Sequence, residues 1–139
     1  VGAAIVLFGA WLSLPLVQAR PEVEWAPYSH DALARALAST PARPVIIDFS
    51  ADWCLPCREL ERYTFTDPAV IEEAGRFALL KADLTEFESE PVRETRDRFE
   101  VIGGPTIVFI DSRGEERTDL RLYGFEPAEA FLARMRQVR

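Results

Sequence analysis

Cysteine is nearly absent from this 139-residue chain: there are two, Cys54 and Cys57, with two residues between them. Two cysteines so close together cannot form a framework of structural bridges. Histidine is limited to His30 and lysine to Lys81, the other fifteen basic residues being arginine. No arginine cluster stands out, so the skew reads as compositional bias. Sixteen basic against twenty-three acidic residues leave a net charge of −7, which argues against a nucleic-acid partner, where clustered positive charge is the footprint. There is no internal repeat and no low-complexity stretch. The length suffices for one domain with a real core, and a soluble monomeric domain is the expectation.

Charge of either sign is missing from residues 1–19; all 39 charged residues lie from Arg20 onward. This run is close to the ~20 apolar residues that a spanning helix needs. Residues 1–19 are therefore expected to be a transmembrane helix or membrane anchor, with Trp11 near an interface and Arg20 marking the exit from lipid. A signal peptide lacking its charged start is the second reading, since Val17-Gln18-Ala19 loosely fits a small-x-small cleavage site. A buried globular helix is the weakest of the three. The chain begins with Val1 rather than Met, and a fragment or processed form is expected. The first two readings put the remainder across a membrane from the cytosol.

Residues 20–28 read as a linker and a first edge strand, with Val23 and Trp25 alternating, and residues 29–139 as the folded domain. Ser29 offers an N-cap to a helix with Leu33, Ala36 and Leu37 at helical spacing, stopped by Pro41 and Pro44. Val45-Ile46-Ile47-Asp48-Phe49 has the signature of a strand covered on both faces, with Asp48 as its misfit. From Leu55 to about Tyr63 the pattern turns helical, with Leu60 and Tyr63 on one face. Asp67 caps a further helix with Pro68 at its first position, closed by Gly75. Residues 77–84 form the next strand, and Pro91 to Arg98 an exposed, charged helix with Val92 and Phe99 turned inward. Thr106 to Ile110 is a strand followed by a turn at Asp111–Gly114. Leu120 to Tyr123 makes the last strand, ended by Gly124. The terminal helix, from Pro127 to about Val138, turns Ala130, Phe131, Met135 and Val138 inward. The order is β-α-β-α-(α)-β-α-β-β-α. It implies an α/β fold with a mixed central sheet of four to five strands and helices on both faces.

The chemistry centres on Trp53-Cys54-Leu55-Pro56-Cys57. A zinc site usually needs four N or S ligands, and two Cys with one distant His do not supply them. As a staple, a ring of about four residues yields roughly 2 kcal/mol, against about 4 for a fifty-residue loop. A redox pair is the reading that remains. Where a strand ends and a helix begins, the helix N-terminus favours the Cys54 thiolate. Cys57, one turn further on, can attack a mixed disulfide at Cys54. Cys54 is expected to be the exposed nucleophile and Cys57 the buried resolving thiol. Pro56 suits the first helical turn.

Asp48 reads either as a carboxylate paired with an arginine or exposed at a strand end, or as a desolvated group of raised pKa that moves protons to and from Cys57. Glu61 could share that task, or be an exposed i,i+4 partner. Gly103-Gly104-Pro105-Thr106 is either a plain turn or a cis proline beside the cysteines whose backbone pairs with an incoming strand. Trp53 reads as an exposed lid before a core residue.

Asp48 through Cys57 together with Gly104-Pro105-Thr106 resembles the thioredoxin superfamily over about residues 23–139. Within it, Phe49-Ser50-Ala51-Asp52-Trp53-Cys54 and the stretch from Cys57 to Pro68, with its Tyr-Thr-Phe-Thr-Asp-Pro ending, is similar to the C-terminal periplasmic domains of the DsbD family of transmembrane thiol–disulfide interchange proteins. The resemblance implies a thioredoxin fold that takes electrons from a membrane domain and passes them to a periplasmic acceptor domain, at a bacterial inner membrane. It implies Cys54 and Cys57 as the redox pair, Asp48 and Glu61 as acidic groups near it, Pro105 as the cis proline, and no cofactor beyond the disulfide. Trp53, Gly104, Pro105 and Thr106 are expected to meet the partner. Leu55-Pro56 between the cysteines departs from the family and leaves direction open. A thiol oxidase, a disulfide isomerase, a cytochrome c maturation reductant and a binding module with incidental thiols are the alternatives.

Overall fold

The computed structural model describes residues 19–139. The expected membrane helix falls, but for Ala19, outside them. Among the described residues no helix is long and apolar enough to cross a membrane.

Five strands form one mixed sheet in the order β1-β3-β2-β4-β5. β1 is Ala26–Pro27, β2 Val45–Ser50, β3 Ala78–Asp83, β4 Thr106–Ile110 and β5 Leu122–Tyr123. β2 lies parallel to β3 and antiparallel to β4, and β1 is a parallel edge on β3. The first strand is thus later and shorter than the alternation of Val23 and Trp25 suggests. Val23 instead sinks into the core, its N–H bonded to Phe65 O at 3.0 Å, and Trp25 packs on Phe65.

The helices are α1 (His30–Leu37), α2 (Leu55–Glu59), α3 (Pro68–Ala74), α4 (Glu90–Arg98) and α5 (Ala128–Met135). Ser29 and Asp67 cap α1 and α3 with their side chains, as expected. α2 runs on into a π-helical turn at Leu60–Thr64, where Phe65 N–H reaches Leu60 O at 2.9 Å. The wider turn brings Thr64 and Phe65 back to the core after Leu60 and leaves Tyr63 57% exposed, so Tyr63 does not share the buried face of Leu60 as the helical spacing predicts. Leu120 sits in a 3-10 turn rather than a strand. Ala130 is exposed rather than inward, because the face of α5 that carries Phe131 and Met135 does not include it.

Both faces of β2 are buried, so its residues alternate between two apolar layers. Ile46, Ile107 and Phe109 meet Leu60, Val70 and Phe131 on one face. Val45, Ile47, Phe49 and Val108 meet Leu33, Cys57 and Phe99 on the other. Helices therefore cover both faces, and the central strands end beside the cysteines.

Candidate active site

β2 ends at Ser50, and Ala51-Asp52-Trp53 carries the chain into α2. Cys54 is the N-cap: its Sγ accepts the Cys57 N–H at 3.3 Å. The two sulfurs are bonded to each other at 2.09 Å, with Cα atoms 5.3 Å apart. Each cysteine is 3% exposed, so Cys54 is not the open sulfur expected from the sequence. In the disulfide form it is turned inward as a cap and covered by Gly104. A Cβ on Gly104 would lie 3.3 Å from Cys57 Sγ and from Phe49 O, and 3.6 Å from Cys54 Sγ. A side chain at this position would crowd Cys57 Sγ and the Phe49 carbonyl, so glycine gives the close approach its room.

The β2–β4 register brings that glycine there. Phe49 pairs with Thr106, so the residues before Thr106 fall beside the end of β2, where the cysteine turn begins. The Gly104–Pro105 bond is cis. Thr106 is buried, and its hydroxyl donates to Gly103 O at 2.7 Å. Pro105 O in turn accepts the Gly124 N–H at 3.1 Å.

Asp48 stands in the middle of β2, 2% exposed, with Oδ1 lacking any hydrogen-bond partner. It is neither arginine-paired nor at a strand end. Burial pushes its carboxyl up from about 3.8 to about 7, with Glu61 adding to the rise and Lys81 opposing it. Lys81 is its register partner on β3 and forms an ion pair with Glu61 of the π turn. Lys81, marked in the sequence only by being the sole lysine, is the site member that sequence reasoning missed. A cleft of about 410 Å³ joins these elements, with Cys57, Glu61, Lys81, Ser50 and Trp25 in its walls. Cys57 thus shares one opening with Glu61 and Lys81, while Asp48 lies buried in β2 and is not part of its walls.

Trp53 is 56% exposed. Its indole N–H donates to Thr85 O at 3.2 Å, and its ring meets Phe87 edge-on at 5.9 Å. Thr85 also receives the Asp52 N–H at its hydroxyl. The β3–α4 connection therefore braces the turn that delivers Cys54. No grouping of His, Cys, Asp and Glu suited to a metal ion occurs among the described residues.

The thioredoxin-like domain family model matches residues 32–139. The thiol:disulfide interchange protein DsbD of Citrobacter koseri is 37% identical over 141 residues, covering 90% of this chain and 25% of that protein. The chain spans about a quarter of the length of that relative. The oxidised C-terminal domain of DsbD from Neisseria meningitidis superposes with a TM-score of 0.68 at 30% identity, covering 78% of this chain and 91% of that one. A putative disulphide-isomerase from Bacteroides thetaiotaomicron superposes at 0.65, also 30% identical, over 85% of this chain and 94% of that one.

Proposed function

The chain belongs to the thioredoxin-like family and is homologous to the C-terminal domain of DsbD, and on that premise we propose that it is a membrane-tethered periplasmic protein-disulfide reductase, an electron relay working by dithiol–disulfide exchange. The observation that carries the reading is the closed Cys54–Cys57 pair at a helix N-terminus, packed against Gly104.

In the reduced chain, the Cys57 N–H that now reaches Cys54 Sγ and the start of α2 favour the Cys54 thiolate. That thiolate attacks a partner disulfide, forming one S–S bond and expelling one partner thiolate. Cys57, deprotonated, then attacks Cys54 Sγ, which releases the second partner thiolate and closes the pair. Two electrons pass to the partner, and the chain is left as the disulfide seen here. Asp48 takes the Cys57 proton: at about 7 its carboxyl is poised near neutral pH, the condition for efficient proton transfer. Glu61 tunes that group through the charge it shares with Lys81. Trp53, Gly104, Pro105 and Thr106 border the incoming partner strand. The apolar residues 1–19 tether the domain, a membrane domain supplies the electrons, and a periplasmic domain accepts them.

The test is a trapping experiment with the full chain. Cys57→Ser, mixed with a disulfide-containing protein, accumulates a mixed disulfide through Cys54 on a non-reducing gel, and Cys54→Ser does not. No trapped species with any protein disulfide would sink the reading. The isomerase-named neighbour supports an oxidising or isomerising variant. A potential near ~−120 mV rather than ~−270 mV would favour that variant.

A further inference from the structure

Trp53, Leu55 and Ile102 are exposed apolar residues on the segments that carry the cysteines and Gly104. Trp53 precedes Cys54, and Ile102, 86% exposed, stands two residues before Gly104. One residue, Arg96 of α4, contacts a neighbour of each, Phe87 beside Trp53 and Val101 before Ile102. Its guanidinium lies over the Phe87 ring, 3.4 Å from the centroid, and donates to Phe87 O at 3.0 Å. Phe87 in turn meets the Trp53 indole edge-on. On its other side, Arg96 Nε donates to Val101 O at 3.4 Å, and the Val101 N–H donates to Arg96 O at 2.8 Å. Between them Glu100 holds a φ of +52°, a left-handed conformation that is unfavourable for a non-glycine residue. The bend into Ile102 is therefore held by its neighbours, and Arg96 supplies two of those contacts, one from its side chain and one from its backbone carbonyl.

An arginine that merely satisfies carbonyls on a helix flank is the plain alternative. Against it stands where the contacts lead. The branch through Phe87 ends on Trp53, a solvent-facing residue beside Cys54, and the other ends on Val101 O, next to the exposed Ile102 on the segment that leads to Gly104.

We propose that Arg96 is a positioning residue for exchange with protein partners, setting the Trp53 indole through Phe87 and the Ile102–Gly104 segment through Val101. The inference rests on the disulfide-reductase reading and adds to it a residue that touches neither sulfur. A protein disulfide must be seated against the rim these residues form. A small aromatic disulfide needs only the thiolate.

The test compares two disulfides on the full 139-residue chain: insulin, turned over with dithiothreitol as terminal reductant, and 5,5′-dithiobis(2-nitrobenzoate), in single turnover with the pre-reduced chain. Arg96→Ala is expected to raise KM for insulin about five- to tenfold, the scale of a partly desolvated cation–π contact and a hydrogen bond. Its kcat and its rate with the small disulfide stay within about twofold of wild type. Arg96→Lys, which keeps a cation over the ring, recovers most of the loss. An unchanged insulin KM in Arg96→Ala overturns the proposal. So does an equal fall with both disulfides, which marks a purely structural residue. If Arg96→Ala does not fold, Phe87→Leu decides by the same two readouts, since it cuts the branch to Trp53. A wild-type chain that reduces neither disulfide would overturn the reductase reading and this proposal together, whereas loss confined to the variants' behaviour bears on Arg96 alone.

Discussion

Asp48 is a carboxylate with nowhere to place its charge. Its Oδ1 is unpartnered, and Lys81, the one cation acting on it, is already paired with Glu61. A raised carboxyl pKa means that the folded chain binds the proton more tightly than the unfolded chain does. The stability that the neutral form contributes is fully present below about pH 4, declines as pH rises toward 7, and is gone above it. Moving from 3.8 to about 7 corresponds to roughly 4 kcal/mol as an upper bound. Asp48→Asn should therefore flatten the fall in stability between pH 4.5 and 8, measured by urea unfolding of both chains at each pH. Taking the difference between the chains removes the opposite trend from Asp83, Asp111 and Asp119, whose carboxyls are held below their usual range by hydrogen bonds from Thr85, Glu115 and Arg117. The same substitution should shift the pH profile of thiol exchange. Parallel stability curves and an unmoved profile would reduce Asp48 to a packing residue.

At the scale of elements, the stretch Tyr63-Thr64-Phe65-Thr66-Asp67-Pro68 has a physical explanation. It is the exit from the π turn and the start of α3. Thr64 donates to Glu126 O at 2.6 Å, anchoring the turn to the approach of α5, and Phe65 fills the core against Trp25 and Phe131. Thr66 bonds back to Arg62 O, while Asp67 Oδ1 accepts the N–H groups of Ala69 at 2.9 Å and Val70 at 3.3 Å. Asp67→Ala should cost about 1 kcal/mol in chemical denaturation, the usual value of a lost N-cap; an unchanged midpoint would mean that the cap bonds are idle. The caps and β-branched runs were legible because they are local: Ser29, Asp67 and Val45–Phe49 carry their signals within a few residues. The π turn was not legible, since at helical spacing Leu60 and Tyr63 look like one face, and only the fold shows the turn widening between them. Nor was the pairing of Lys81 with Glu61, which depends on the register of β3 against β2. The burial of Cys54 is hidden from the sequence for a similar reason, because Gly104, which packs against its sulfur, arrives from fifty residues downstream.

For the whole molecule, a relay must stay folded in both redox states, and the architecture supports this. The sheet is buried between two apolar layers built from residues spread across the chain. The disulfide links residues only three apart. Closing so short a ring restricts the unfolded chain little, roughly 2 kcal/mol at most. Cys57, moreover, already sits in one of the two layers by packing. Reduction should therefore leave a cooperatively folded chain. With the urea dependence usual for small proteins, its unfolding midpoint should lie within roughly 1–2 M of the oxidised form. The measurement is a pair of urea titrations, with and without excess dithiothreitol, followed by far-ultraviolet circular dichroism. A reduced chain that is unfolded without urea, or that has lost its cooperative transition, would show that the pair acts as a staple after all. A chain that needs its disulfide to fold could not deliver two electrons as a folded dithiol. The titration thus bears on the relay from stability alone, independently of any partner.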